Sequence, residues 1–524
     1  MKIKIIKKAV KILLRAFAVF ITLLLIMLFA LRFDTVQTGL AHIISGRLSS
    51  ATGAEIKVDR LQIKLIKTLA LQNLLVRDLH RDTLLFIPEL DVSLSAFDYG
   101  MKTLDFNKIT IENPRIYLGK HKGEEELNLQ FMLDYFSSND TAASALWHME
   151  ASEITITNGR FIFLDENAKG KRQQGIDYGD IAISHFNLLI NDVLLDGDSM
   201  SAGLGNLSFK EHSGFELHSM NGIFSLTPRQ IGIAGMKLAA GRSSLISDVS
   251  MHFGKFSDFN DFIHSVKMHV DIKQADIYTS DIAAFAPALY GADHRFRISG
   301  RVRGSVDRLR AKDLELQFGP NSYLKGDADI TGLPVPDETF VMMKIRELLT
   351  NKRDLDSLPL PPFSQKRKLM LPPAFANLGR MTFSGDFTGF MNDFVAYGRF
   401  STALGGISSD IQLYSDTLDG LMRYEGKMAM HDFDIGRLTG DQAGTLGKLS
   451  CTLNVQGTGT SAAHLQATLN GHISRLDLMQ YSYSNMELKG RIDGKKFFGE
   501  GKMRDPNIAL DFRGGVEMNP KQMF

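Results

Sequence analysis

The sequence predicts a mainly β protein: an N-terminal transmembrane helix, then an elongated, curled antiparallel β-sheet forming a groove, with a few short helices. Three observations carry this reading. Ala16 to Leu31 is a sixteen-residue run without a charge, apolar and polar residues alternate with a period near 2 for most of the chain beyond Glu55, and Cys451 is the only cysteine in 524 residues. The sheet must therefore hold together without disulfides. Hydrophobic residues make up 44% and charged residues 23%, which is ordinary globular usage and excludes general disorder.

The run from Ala16 to Leu31, extended to Ile12 and Phe33, gives about 33 Å of helix, enough for a bilayer core. Eleven of its sixteen residues are Leu, Ile, Phe or Val, favouring insertion by roughly 3–7 kcal/mol. Phe17, Val19, Phe20, Ile21, Leu23, Leu24, Leu25, Ile26, Leu28 and Phe29 are the anchor residues. Lys2, Lys4, Lys7, Lys8, Lys11 and Arg15 precede any acid, so the N-terminus is placed in the cytoplasm and the bulk beyond residue 33 outside it. The exit Leu28-Phe29-Ala30 lacks the small first residue of a signal-peptide cleavage site, which favours an uncleaved anchor. From Ala16 onward, 54 basic residues stand against 59 acidic ones, and such a body is a poor phosphate binder, so nucleic acid is not an expected partner.

Four regions follow: 1–33, basic tail and anchor; 34–330, exported β region; 331–375, a Pro-rich insertion; 376–524, continuing β repeats. Asp34 begins a helix carrying Val36, Leu40, Ile43, Ile44 and Leu48 on one face and stopping by Gly53. Ile154-Thr-Ile-Thr-Asn-Gly-Arg-Phe-Ile-Phe reads as a hairpin turning at Asn158-Gly159, which puts Ile154, Ile156, Phe161 and Phe163 on one apolar face. Ile109-Thr-Ile-Glu-Asn-Pro-Arg-Ile-Tyr-Leu reads the same way, with Ile111 opposite Ile116, although proline at the second loop position weakens the pattern. Ile109, Ile111, Ile154, Ile156, Phe161, Phe163, Val270 and Ile272 are the candidate groove-lining residues. Short helices are expected at 128–136, 257–265 and 280–286.

Seven of the fourteen prolines lie between Thr331 and Phe375. Inside that segment Asp337 caps an expected helix with Val341, Ile345, Leu348 and Leu349 on one side, laid on the sheet as a cover. A weak repeat brackets it: Ile298-Ser-Gly-Arg-Val-Arg-Gly and Phe383-Ser-Gly-Asp-Phe-Thr-Gly share apolar-x-Gly-x-apolar-x-Gly, with an aspartate following.

Catalytic patterns are absent, and no cofactor is expected. The fourteen histidines are scattered without metal-ligand spacing, there is no P-loop or G-x-S-x-G elbow, and Gly203-Leu-Gly-Asn fails the dinucleotide fingerprint. Asp196-Gly-Asp198 lacks the later acids of a calcium loop and reads as a turn, while Lys366-Arg-Lys368 and Glu124-Glu-Glu126 read as solvated loops. Trp147 is assigned to packing. An enzyme is not expected.

The anchor followed by Ala51-Thr-Gly-Ala-Glu-Ile-Lys-Val, Leu71-Gln-Asn-Leu-Leu-Val-Arg-Asp, Asp82-Thr-Leu-Leu-Phe-Ile-Pro, Ile109-Thr-Ile-Glu-Asn-Pro and Leu378-Gly-Arg-Met-Thr-Phe-Ser-Gly resembles the AsmA-like superfamily, closest to its TamB group of translocation and assembly module subunits. The resemblance covers nearly the whole chain. It implies an inner-membrane protein of a Gram-negative bacterium with its bulk in the periplasm, and a β groove whose partners are the inner membrane and lipid acyl chains. It also implies roles in phospholipid transport and outer-membrane protein assembly. The family's C-terminal β domain has no counterpart here and the pattern stops within Gly514 to Phe524, so a truncated chain is expected and contact with an outer-membrane barrel would need the missing part. The alternative is an anchored scaffold whose β faces are packed shut.

Overall fold

The computed structural model describes all residues except 1–32, 65–66, 99–102, 139–147, 169–174, 197, 361–362, 391, 416–421, 442–443, 460–464, 495 and 518–524. The anchor residues Phe17 to Phe29 and Trp147 lie outside the described residues. Among the described residues, no helix is long and apolar enough to cross a membrane. The chain is mainly β, and its contacts divide it into two compact units, the first ending at Gly241 and the second beginning at Arg242.

The first unit opens with helix α1 (Asp34–Thr52), closed by Gly53 at φ 76° as the sequence predicts. Its strands are β1 (Ile56–Lys57), β2 (Arg60–Lys64), β3 (Thr68–Arg77), β4 (Thr83–Asp98), β5 (Thr103–Glu112) and β6 (Arg115–Lys120), then, after helix α2 (Gln130–Ser138), β7 (His148–Asp165), β8 (Asp180–Asp196), β9 (Ser199–Glu211), β10 (Glu216–Thr227) and β11 (Gln230–Ala240). Pairing is antiparallel except at β7, which runs parallel to both β5 and β6.

Neither expected hairpin forms. β7 runs straight through Asn158-Gly159, and β5 and β6 lie end to end, both pairing with β4 on one side and β7 on the other. Asn113 (φ 52°) and Asn158 (φ 50°) are left-handed, but in bulges rather than turns. A tight hairpin and a bulge both ask for a residue that tolerates positive φ, and asparagine serves either. The bulges sit side by side, joined by Asn158 Nδ2 donating to Asn113 Oδ1 at 2.7 Å. The pairing keeps one register on either side of them, Ile111 with Ile156 and Ile116 with Phe161, so the left-handed residues shift the side-chain alternation of neighbouring strands together.

Helix α1 inverts the orientation its pattern implies. Gln37, Ala41 and Ser45 are buried, while Val36, Leu40, Ile43 and Ile44 are exposed, the last two at 58%. Its polar residues serve the edge of the sheet: Ile63 N–H donates to Gln37 Oε1 at 2.8 Å, Leu61 N–H to Thr38 Oγ1 at 3.4 Å, and Ile56 N–H to Ser49 Oγ at 2.8 Å. Backbone donors that an edge strand would offer to another chain are thereby occupied.

The second unit carries β12 (Ser243–His252), helix α3 (Phe262–Ser265), β13 (Lys267–Tyr278), helix α4 (Thr279–Ile282), β14 (Arg295–Ser305), β15 (Arg308–Gly319), β16 (Ser322–Thr331), β17 (Phe340–Thr350), helix α5 (Lys352–Leu355), β18 (Met381–Phe390), β19 (Asp393–Thr402), β20 (Gly405–Ser415), β21 (Met422–Asp434), helix α6 (Ile435–Thr439), β22 (Leu446–Thr458), β23 (Gln466–Leu478), β24 (Tyr481–Asp493), β25 (Lys496–Arg504) and β26 (Ala509–Glu517). Each strand pairs antiparallel with its successor. The helix expected after Asp337 is instead the central strand β17, with Val341 opposite Ile330 and Gly389, and Leu348 opposite Leu324 and Phe383. A bulge between Ile345 and Leu348 lets a strand meet the same apolar spacing that suggested a helix. Only the part after β17 remains an insertion, and from it Leu355, Phe375 and Leu378 pack with Met381, Leu404 and Phe433.

The glycine repeat marks equivalent places in β14 and β18, each followed by a tight hairpin to the next strand. Gly304 and Gly389 have φ of 121° and 146°, and a Cβ there would lie 2.1 Å and 2.2 Å from the carbonyl oxygens of Arg308 and Asp393. Gly389→Ala is expected to destabilise the protein by about 1–3 kcal/mol through strain alone, whereas Gly46→Ala on exposed α1, where nothing lies within 4 Å of the added carbon, should be neutral or stabilising; comparing melting temperatures checks both.

Between β25 and β26, Asp505 accepts from the N–H of Asn507 and Ser484 and from the hydroxyls of Tyr481 and Ser484, which holds its carboxyl down at about 2. A lowered folded value gives stability that is complete above the unfolded value near 3.8 and is lost as pH falls towards 2. Melting measured from pH 5 to pH 2 should lose this component in Asp505→Asn.

Candidate functional site

The site is a face of the sheet rather than a pocket, and register builds it. Directly paired residues on neighbouring strands point to the same side. One row crosses nine strands of the first unit, β2 to β5 and β7 to β11: Leu61, Leu71, Leu90, Ile111, Ile156, Leu188, Leu207, Met220 and Leu238. A second joins Leu69, Val92, Ile109, Ile154, Ile190 and Leu204, and a third runs through Val76, Leu85, Ile116, Phe161 and Ile183. All are apolar.

Ile109, Ile111, Ile154, Ile156, Phe161 and Phe163 therefore come together, Phe163 beside Leu118. The bulge at Asn158 keeps Phe161 on the face of Ile156, as a hairpin would have done. Ile162 and Leu164 go to the other side, where they line a cavity of about 610 Å³ with Leu75, Phe86 and Tyr117. Every residue of the three rows apart from Val76 is half-buried, neither sealed as in a closed core nor fully open.

In the second unit a row of fifteen residues crosses β12 to β26 without a polar member: Leu245, Ala275, Ile298, Leu316, Leu324, Leu348, Phe383, Phe400, Ile407, Met430, Cys451, Ile473, Met486, Met503 and Leu510. At about 4.8 Å per strand this ladder measures about 67 Å. Val270 belongs to a parallel row through Val249, Val302, Ala311, Ala328 and Met343, which continues through Phe387 and Ala396 to the half-buried Ile411. Ile272 lies opposite Ser247 and Gly300. The intervening positions point the other way and are largely polar, as in His269, Arg303, Arg310 and Asp329. Sequence reading found the alternation but not these rows, because pairing between strands distant in sequence is set by bulges that no local pattern displays.

The face closes around Phe383, where Met381, Leu404 and Phe433 are buried, and again further along. Cys451, Leu453, Ile473, Met486 and Met503 are buried against one another, and burial pushes the Cys451 thiol up, making it an inert wall residue. The two regimes predict opposite responses to one change. Ile473→Asp buries an unpaired carboxylate and should cost several kcal/mol, with loss of the folded protein, while Phe161→Asp on the half-buried face should lower the melting temperature only modestly; circular dichroism of the two variants measures the contrast.

No family model, curated protein or solved structure matches this chain.

Proposed function

We propose that this chain is a membrane-anchored, bridge-like lipid conduit of the AsmA-like, TamB type. It is held in the inner membrane by Phe17 to Phe29, with its bulk in the periplasm, and supports phospholipid transport and outer-membrane protein assembly. The observation that carries the reading is the unbroken apolar row on a polar-backed sheet, half-buried along most of its strands. An apolar face of that length is costly in water, and acyl chains sliding along it would remove the cost without any specific site. No residue is assigned a catalytic role. Helix α1, with Ile43 and Ile44 outward directly after the anchor segment, is suited to lie in the interfacial layer of the same membrane.

The buried cluster around Cys451 and Ile473 favours the second reading, a scaffold packed shut, over that stretch.

A photoreactive amino acid at position 161 or 411, on the half-buried rows, tests the conduit in cells. Lipid crosslinks at both positions, absent from a probe at the outward position 303, are expected. Phe161→Asp should abolish labelling at 411 while leaving protein abundance near normal. Equal labelling at all three positions, or none at 161 and 411 in folded protein, would reject the conduit in favour of the scaffold.

A further inference from the structure

We infer that Asp78, His80 and His121 form a binding site for a divalent transition metal ion of the zinc type. One ligand atom from each of the three lies within 4.8 Å of the others. His121 Nε2 is 3.2 Å from Asp78 Oδ2, and His80 Nε2 is 3.1 Å from Glu124 Oε1. Ligands of a tetrahedral zinc ion, with bonds of about 2.0–2.2 Å, stand about 3.3 Å apart, so His121 and Asp78 already have the separation that a shared ion imposes, and Glu124 holds the His80 ring from outside the set. The two imidazole rings, with centroids 4.1 Å apart, bring the two pairs together. Mixed imidazole and carboxylate ligands suit zinc better than calcium or magnesium.

The carboxylate is held for the purpose. Asp78 is 2% exposed, and its Oδ1 accepts from the backbone N–H of His80 at 3.0 Å and of Asp82 at 2.8 Å. Oδ2 is left toward His121, steadied by Asn128 Nδ2 at 3.3 Å. Among the described residues no lysine or arginine pairs with it, so a buried carboxylate faces only imidazoles as sources of positive charge. A metal ion supplies the missing charge.

The second ligand loop is fixed independently. Glu124 N–H donates to His121 O at 2.9 Å, and Asn167 Nδ2 donates to the carbonyls of His121 and Glu124. His121 and Asn128 also line the 610 Å³ cavity, which gives an ion a way in. Three protein ligands leave a fourth position for water, and the ion acts as a staple: it ties the β3–β4 turn to the loop after β6 in a chain whose single cysteine permits no intramolecular disulfide.

The test uses the full chain in detergent without a polyhistidine tag. After loading with zinc and dialysis, one equivalent per chain should remain, and cobalt should give the intense visible absorption of tetrahedral coordination. His80→Ala and His121→Ala should each weaken zinc binding by at least tenfold, and Asn128→Ala, which removes the hydrogen bond to the ligand carboxylate along with bonds to the backbone of Tyr117 and Gly119, by about tenfold. His80 is half-exposed, so His80→Ala should melt as the metal-free parent does and lose only the zinc-induced rise in melting temperature. Less than a tenth of an equivalent retained by the folded parent, or full retention by the His80→Ala/His121→Ala double variant, would overturn the site.

Discussion

Everything in this fold depends on side-chain parity being preserved from strand to strand. In a sheet with one apolar face, a slip of a single residue sends an entire strand's hydrophobic set to the wrong side. The chain manages this with left-handed residues inside strands, among them Asn158, Asp192, Asp313, Asp432 and Asn485. At Asp313 and Asp432 the strand gains a residue over its partner, at Asn158 and Asn485 paired strands change phase together, and the apolar rows resume on the same side beyond each. Bulges here are the means by which strands of 10 to 18 residues stay in phase, as β5 and β7 show by kinking together at Asn113 and Asn158.

This explains what could be read from the sequence. The period-2 pattern gives the β class, and the span of α1 follows from Asp34, its apolar spacing and Gly53. The expected helices at 128–136 and 257–265 have counterparts in α2 and in the short helical turns ending at Ser265. What local pattern cannot separate is a left-handed asparagine that ends a strand from one that bulges it. The two supposed hairpins were therefore misread while the shared face of Ile154 and Phe161 was not, because a turn and a bulge shift parity alike. β17 was read as a helix for a related reason: its bulge gives Val341, Ile345 and Leu348 a helical spacing. Its partners Leu324 and Phe383 decide otherwise, and those lie on strands the local window never includes.

The cluster around Asp78 was illegible for yet another reason. His80 and His121 lie 41 positions apart, and what joins them is a strand turn and a loop that meet only once β3, β4 and β6 are paired. No spacing rule reports such a meeting. Helix α1 shows the converse, since its pattern was legible but its orientation was not: the edges of β1 and β2 need acceptors, and Ser49 supplies the first and Gln37 and Thr38 the second, so the polar side turns inward.

The parallel placement of β7 has a consequence for how the chain is made. Beyond β7 each strand of the two units pairs with its neighbour in sequence, so those ladders can lengthen hairpin by hairpin as the polypeptide emerges, at little loop-closure cost. β7 is different. It must cross back over the 27 residues between Lys120 and His148 before it can dock on β5 and β6, and until it does their outer edge lies open. Strands β8 to β11 can pair onto β7 in sequence order before that event, so the docking of β7 joins two separately built ladders into one sheet.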